Sequence, residues 1–288
     1  MELMPEQISQ AVAETLVKAS TSFRPDQIMQ YHAAIAREQE ARAIWVLERT
    51  IENAKVAERR RLPLCDDTGI PHVFLEVGDQ VALPIGFFAA VEDGIAEGLR
   101  ILPGRPMAVK GDDIERITQS AGLYDESGKL AMAPIQIRRI VGDQIRLTVL
   151  MLGGGPEIRG KTQRVFHKHN LDAVLGEMIE WAVDGAAKLG CLPCVLFFGV
   201  GRTNVEAASL ALEAMKDADL TKQSEIECRI TEGMNKTNIG PLALGGKTTA
   251  LATFVKVGPQ RASGVRVVSL RVGCSIDPRK ATYVWSST

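Results

Sequence analysis

Apolar residues recur at helical spacing through about the first 61 positions. Ile8, Val12, Leu16 and Val17 share one face, and Pro25 opens a run through Ile28, Ala34, Ala41, Ile44, Val46 and Ile51 that predicts one longer helix. Arg59, Arg60 and Arg61 mark its charged, solvated end. The pattern then changes to a polar loop punctuated by Pro and Gly, Leu62-Pro63-Leu64-Cys65-Asp66-Asp67-Thr68-Gly69. Val73 to Val77 reads as a strand, and Phe87 to Leu102 as a helix ending in the turn Pro103-Gly104-Arg105-Pro106. Ile135 to Ile137 and Ile145 to Leu150 alternate as strands, paired around a Gly142-Asp143 turn. The second runs straight into Gly153-Gly154-Gly155. Leu171 to Leu189 and Val205 to Met215 have helical periodicity. Val195 to Phe198 is a short, wholly apolar strand, and Ala250 to Val257 and Val265 to Val272 are two more, the last leading to Cys274. Strands and helices in this mixture predict an α+β (mixed α/β) fold without repeats or linkers, a single catalytic domain over residues 1–288 with a helical N-terminal part over about 1–61.

Charge narrows the function. Thirty-four Lys and Arg balance 35 Asp and Glu, a net charge of −1, which disfavours a nucleic-acid binder working through bulk positive charge. No apolar run approaches the roughly 20 residues of a membrane span, and Met1 to Gln10 lacks a signal-peptide pattern, so a cytoplasmic protein is expected.

The candidate chemistry lies in the cysteines. An odd set of five, Cys65, Cys191, Cys194, Cys228 and Cys274, fits reduced thiols better than a disulfide framework. Cys65, Cys191 and Cys274 each sit in a junction that carries Gly or Pro, where thiolates can converge on an ion, although their spacing is too wide for a local zinc or ferredoxin motif. Cys194 forms a Cys-x-x-Cys pair with Cys191 but reads as a packing residue, and Cys228 as a structural residue on a helix. His32, His72, His167 and His169 match no catalytic pattern.

The segment Pro63-Leu64-Cys65-Asp66-Asp67-Thr68-Gly69-Ile70-Pro71 resembles the Cys-Gln-Asp-Thr-Gly motif of the iron–sulfur hydro-lyases, the class I fumarases and the alpha subunits of L-tartrate dehydratase and two-subunit fumarase. Further landmarks follow in that family's order: Arg105 before Pro106, the Gly153-Gly154-Gly155 turn, Cys191-Leu192-Pro193 ahead of Gly201-Arg202-Thr203, Leu244-Gly245-Gly246-Lys247, and Cys274. The resemblance implies the fold of the N-terminal cluster-binding domain of class I fumarases. It also implies a [4Fe–4S] cluster held by Cys65, Cys191 and Cys274, with one iron left open as a Lewis acid.

By the same resemblance, Asp67 and Arg105 are the candidate catalytic residues, and Asp66, Gly153, Gly154, Gly155 and Lys247 line the substrate side. A guanidinium grips a carboxylate in a fork, and a glycine turn brings backbone N–H groups close to an anion. The implied substrate is a small hydroxy-dicarboxylic acid of the fumarate/malate or tartrate type. Fourteen residues follow Cys274, so a separate beta-type subunit is expected to complete the pocket, in an oligomer. Four positions depart from the family: Asp66 replaces Gln, Leu152 replaces Lys, Pro156 replaces Ser and Gln260 replaces His. They make the pocket less cationic, with Arg261 and Lys247 as candidate offsets. They keep open a paralogous hydro-lyase for another hydroxy acid, beside a non-catalytic iron–sulfur or zinc protein.

Overall fold

The structure, a computed structural model, describes residues 3–286. In chain order it forms α1 (Pro5–Thr21), α2 (Pro25–Arg37), α3 (Ala41–Arg60), β1 (Ile70–Gly78), α4 (Phe87–Ile101), α5 (Asp113–Thr118), β2 (Gln136–Ile140), β3 (Gln144–Leu152) and α6 (Gly154–Glu157). Then come β4 (Lys161–Phe166), α7 (Leu171–Ala187), β5 (Cys194–Gly201), α8 (Asn204–Asp217), α9 (Glu225–Asn235), β6 (Ala250–Val257), β7 (Val265–Gly273) and β8 (Lys280–Ser286). The mixture is α+β, as the periodicities predict. These elements gather into two compact units, one built from the chain up to Ser22, Ala54–Gly154 and the chain from Arg279 on, the other from Phe23–Asn53 and Gly155–Pro278.

The first unit is a sheet of order β2-β1-β3-β8 covered by helices. The predicted face of α1 is real: Ile8, Val12, Leu16 and Val17 are buried with Val91, Ile95 and Leu99 of α4 and Leu75, Leu147 and Val149 of the sheet. The two helices touch closely because Gly94 lacks a side chain; a Cβ there would lie 2.6 Å from the Ser9 carbonyl oxygen. Truncating a core residue such as Leu16 to Ala is expected to cost about 2–5 kcal/mol.

One pairing differs from the sequence reading. β2 and β3 do not form a hairpin: β1 lies between them, parallel to β2 and antiparallel to β3. The central slot goes to the more apolar strand, buried along nearly all its length, while β2 keeps the exposed edge. The β2–β3 connection therefore crosses the end of β1. There Asp79 N–H donates to the Ile140 carbonyl (2.8 Å) and Gln80 N–H to that of Gly142 (3.1 Å). Gly78 makes the crossing possible, since a Cβ would sit 2.2 Å from the Gly142 oxygen. Strand β8 is absent from the sequence reading because its residues alternate only weakly between buried and exposed.

The second unit is a sheet of order β4-β7-β5-β6, in which β5 pairs parallel with β6 and antiparallel with β7. β5 is buried throughout, as its unbroken apolar run predicts. α8 lies directly on it, and a Cβ at Gly199 would come within 2.0 Å of the Ala207 carbonyl oxygen. The helix predicted from Pro25 through Ile51 is two helices. Glu38 caps α2 in an extended conformation, and its carboxylate accepts from the N–H groups of Gln39 (2.8 Å) and Glu40 (3.2 Å). It accepts equally from Lys247 (2.8 Å) and Thr248 (3.0 Å), partners that no local pattern foretells. No described helix is long and apolar enough to cross a membrane.

Candidate functional site

In the first unit the Cys65 loop is held on several sides. Leu64 N–H donates to the Ser20 carbonyl (2.9 Å), and the Thr68 hydroxyl donates to that of Arg105 (3.0 Å). Gly104 brings the 103–106 turn against Thr68, where a Cβ would meet the hydroxyl oxygen at 2.7 Å. Cys65 is half-buried in this loop. Next to it Asp66 faces Arg105, with 3.3 Å between Oδ2 and Nη1; both side chains are open to solvent, at 79% and 57% exposure.

Asp67 turns inward. Its Oδ2 accepts the N–H of Gly154 (2.8 Å) and passes within 2.7 Å of where Gly153 would carry a Cβ. Its Oδ1 is shielded from solvent and meets no hydrogen-bond donor among the described residues. The glycine turn expected to cradle an anion thus already faces the Asp67 carboxylate. Beneath the loop lies Arg279, which the sequence reading did not single out. Only 3% exposed, it donates from Nη1 to the carbonyls of Asp67 (2.8 Å) and Thr68 (3.0 Å). No local pattern marks it, since it directly precedes β8, a strand that the periodicity does not show.

In the second unit Cys191 and Cys274 lie on loops at the same end of the sheet. Cys191 precedes β5 and Cys274 follows β7, where Val195 pairs with Gly273. Ser275 N–H donates to the Cys191 carbonyl (2.9 Å), tying the two loops together. Cys274, 8% exposed, donates its N–H to Asp277 Oδ2 (2.9 Å), and the Tyr31 hydroxyl donates to the Ser275 carbonyl (2.6 Å). Burial pushes the Tyr31 phenol far up, so it stays a neutral donor. Cys191 is exposed. Lys247 is also exposed, on the glycine loop that Glu38 clamps, and Gly155 opens this unit at α6.

The remaining cysteines behave differently. Cys194 is the first residue of β5 and fully buried, and burial pushes its thiol up to about 12, which keeps it protonated and inert. Cys228 is half-buried on α9. Of the four departures from the resemblance, Leu152 closes β3 and is buried, while Gln260 donates to the carbonyls of Val200 (3.2 Å) and Gly258 (2.9 Å). That places Gln260 at the end of β5 remote from Cys191 and Cys274. Among the described residues no three His, Cys, Asp or Glu side chains are assembled as a metal-binding group.

The family model for fumarate hydratase (Fumerase) matches residues 9–283. The chain belongs to the fumarate hydratase family. Among similar proteins is one from Methanocaldococcus jannaschii named, provisionally, L(+)-tartrate dehydratase subunit alpha; it is 26% identical over 276 residues, covering 93% of each chain. The L(+)-tartrate dehydratase subunit alpha of Escherichia coli strain UTI89 is 25% identical over 230 residues, covering 77% of this chain and 73% of its own. That of strain K12 is 24% identical over the same length. Within this fumarate hydratase family chain, the match takes in every residue of both candidate groups, from Cys65 to Arg279.

Proposed function

We propose that the chain is the alpha, cluster-bearing subunit of a hydro-lyase that reversibly adds or removes water at a small hydroxy-dicarboxylic acid of the fumarate/malate or tartrate type. Membership of the fumarate hydratase family over residues 9–283 carries the reading. Residues 1–288 would serve as one catalytic domain, working in the cytoplasm with a separate beta-type subunit in an oligomer, as the alpha-subunit names of the relatives suggest.

The thiols suit an iron–sulfur group. Cys65, Cys191 and Cys274 all stand on loops outside regular elements, two of them on loops joined by a hydrogen bond, whereas the strand-bound Cys194 thiol is protonated and buried. In our reading these three hold a [4Fe–4S] cluster. When bound, such a cluster supplies an iron without a protein ligand, a Lewis-acid position for substrate oxygens.

This chain's own groups do the rest. Arg105 grips a substrate carboxylate with its planar fork once Asp66 yields it. Asp67 has one oxygen fixed on Gly154 N–H and the other shielded and unpartnered, an arrangement suited to taking and returning a proton at Oδ1. Asp66, Gly153, Gly154, Gly155 and Lys247 line the substrate side, with Lys247 adding positive charge for the second carboxylate.

Anaerobic iron and sulfide analysis of five Cys→Ser variants tests the ligand set. Loss of the cluster is expected for Cys65, Cys191 and Cys274, and retention for Cys194 and Cys228. A colourless protein with stable metal content through aerobic purification would instead establish zinc, which has no redox chemistry to lose in air.

A further inference from the structure

We propose that Arg279 is a positioning residue of the candidate site: through the carbonyls of Asp67 and Thr68 it sets the direction in which the Asp67 carboxylate points. The proposal rests on the hydro-lyase reading for its chemical meaning, but the geometry is independent of it. Arg279 is anchored by its backbone, since its carbonyl accepts the N–H of Met151 (3.0 Å) just where β8 begins to pair with β3 at Lys280 and Leu150. From this fixed point the side chain runs inward and is 3% exposed. Burying a guanidinium costs several kcal/mol unless its donors are satisfied. Nη1 offsets part of that cost by donating to two successive carbonyls, Asp67 and Thr68. Two bonds to adjacent peptide oxygens fix the two peptide planes that follow Asp67, one on each side of Thr68.

The rest of the guanidinium explains two glycines. A Cβ at Gly69 would lie 2.8 Å from Nη2, and one at Gly153 would lie 3.1 Å from it. Gly69 also has φ +85°, a backbone that only glycine adopts freely. With both side chains missing, Asp67 Oδ2 can slide past Gly153 to the Gly154 N–H at 2.8 Å, which leaves Oδ1 shielded and unpartnered. Arg279 therefore acts through Asp67 and not on substrate. Lysine is a poorer anchor, because its freely rotating ammonium lacks the fixed in-plane donor directions of the guanidinium and holds the two peptide planes less firmly.

The test uses the full chain, first alone and then with a beta-type partner. Residue-resolved amide exchange reports the Asp67–Gly154 bond without any cluster. Arg279→Lys is expected to keep the fold by circular dichroism and to speed exchange at Gly154 about tenfold, without a matching change at the core amides of β3. In the loaded pair, kcat should fall about tenfold or more while KM moves less than about threefold. The double variant Arg279→Lys with Asp67→Asn should lose no more than Asp67→Asn alone, because the two residues act as one unit. Unchanged exchange at Gly154, or losses that multiply in the double variant, would overturn the assignment. Should Arg279→Lys fail to fold, Gly153→Ala puts a Cβ against Asp67 and Arg279 and should give the same two changes; its silence would be equally decisive. An inactive wild-type pair would count against the hydro-lyase reading, while exchange at Gly154 would still decide the role of Arg279.

Discussion

At Asp66 an extra negative charge stands where the resemblance expects a neutral Gln, and it has a local partner in Arg105 at 3.3 Å. Both groups are well exposed, and exposed pairs contribute about 0–1 kcal/mol, so a dicarboxylate can displace Asp66 from the guanidinium at little cost. Asp66→Gln is therefore expected to lower KM for fumarate or tartrate about two- to fivefold at low ionic strength, with the gain shrinking as salt is added. Steady-state assays of the loaded pair check this, and an unchanged KM at low salt would show that Asp66 does not compete for Arg105. Arg105→Lys should raise KM, because a point charge replaces a planar fork. The motif singles out Asp67 as a candidate. Arg279 and Glu38 were not, because their partners lie far along the chain and neither residue interrupts a recognisable pattern. Charged side chains that serve backbone groups leave no spacing signature.

Elements were readable wherever burial is one-sided or complete. The face of α1, the apolar run of β5 and the span of α4 follow directly from periodicity. Where tertiary contacts decide, the pattern misleads: Glu38 divides a continuous helical periodicity, and β1 separates two strands that look like a hairpin. Glu38 supports a test. Burial alone would raise its pKa, but the N–H groups of Gln39, Lys247 and Glu40 outweigh that and hold it below the usual carboxylate range. A depressed folded-state pKa gives stability that is present above the unfolded value, about 4.3, and lost as pH falls through the folded value. Glu38→Gln should thus cost about 1–3 kcal/mol at pH 7, since two or more N–H groups lose a charged acceptor, and less at low pH where the wild-type carboxylate is itself protonated. Urea unfolding midpoints at neutral and acid pH measure it, and an equal cost at both would refute the anchoring role. Gly199→Ala, which drives a Cβ into α8, should destabilise by about 3 kcal/mol or more.

For the whole molecule, the resemblance spoke to function before the architecture did. Most of its landmarks are loop residues, and the two units present them on separate frameworks: Cys65, Asp66, Asp67, Arg105, Gly153 and Gly154 on the first, Gly155, Cys191, Lys247 and Cys274 on the second. The division into two units was not legible, because both sheets are assembled from strands distant in sequence, and β8 and α2 each join a sheet or helix layer built mainly by another part of the chain. Arg105 and Asp66 are open to water in this chain, as is the Cys191 loop. Electrostatic catalysis loses much of its strength in water, where fixed donors compete with solvent for the developing charge. The isolated chain, loaded with the proposed cluster, is therefore expected to turn over fumarate, malate and tartrate at least about a hundredfold more slowly than the same chain with a beta-type subunit. Activity of the mixture should fall on dilution below the dissociation constant of the pair, as mass action requires. Anaerobic hydration and dehydration assays across a dilution series decide it. Full turnover by the chain alone, independent of dilution, would show that this subunit needs no second wall.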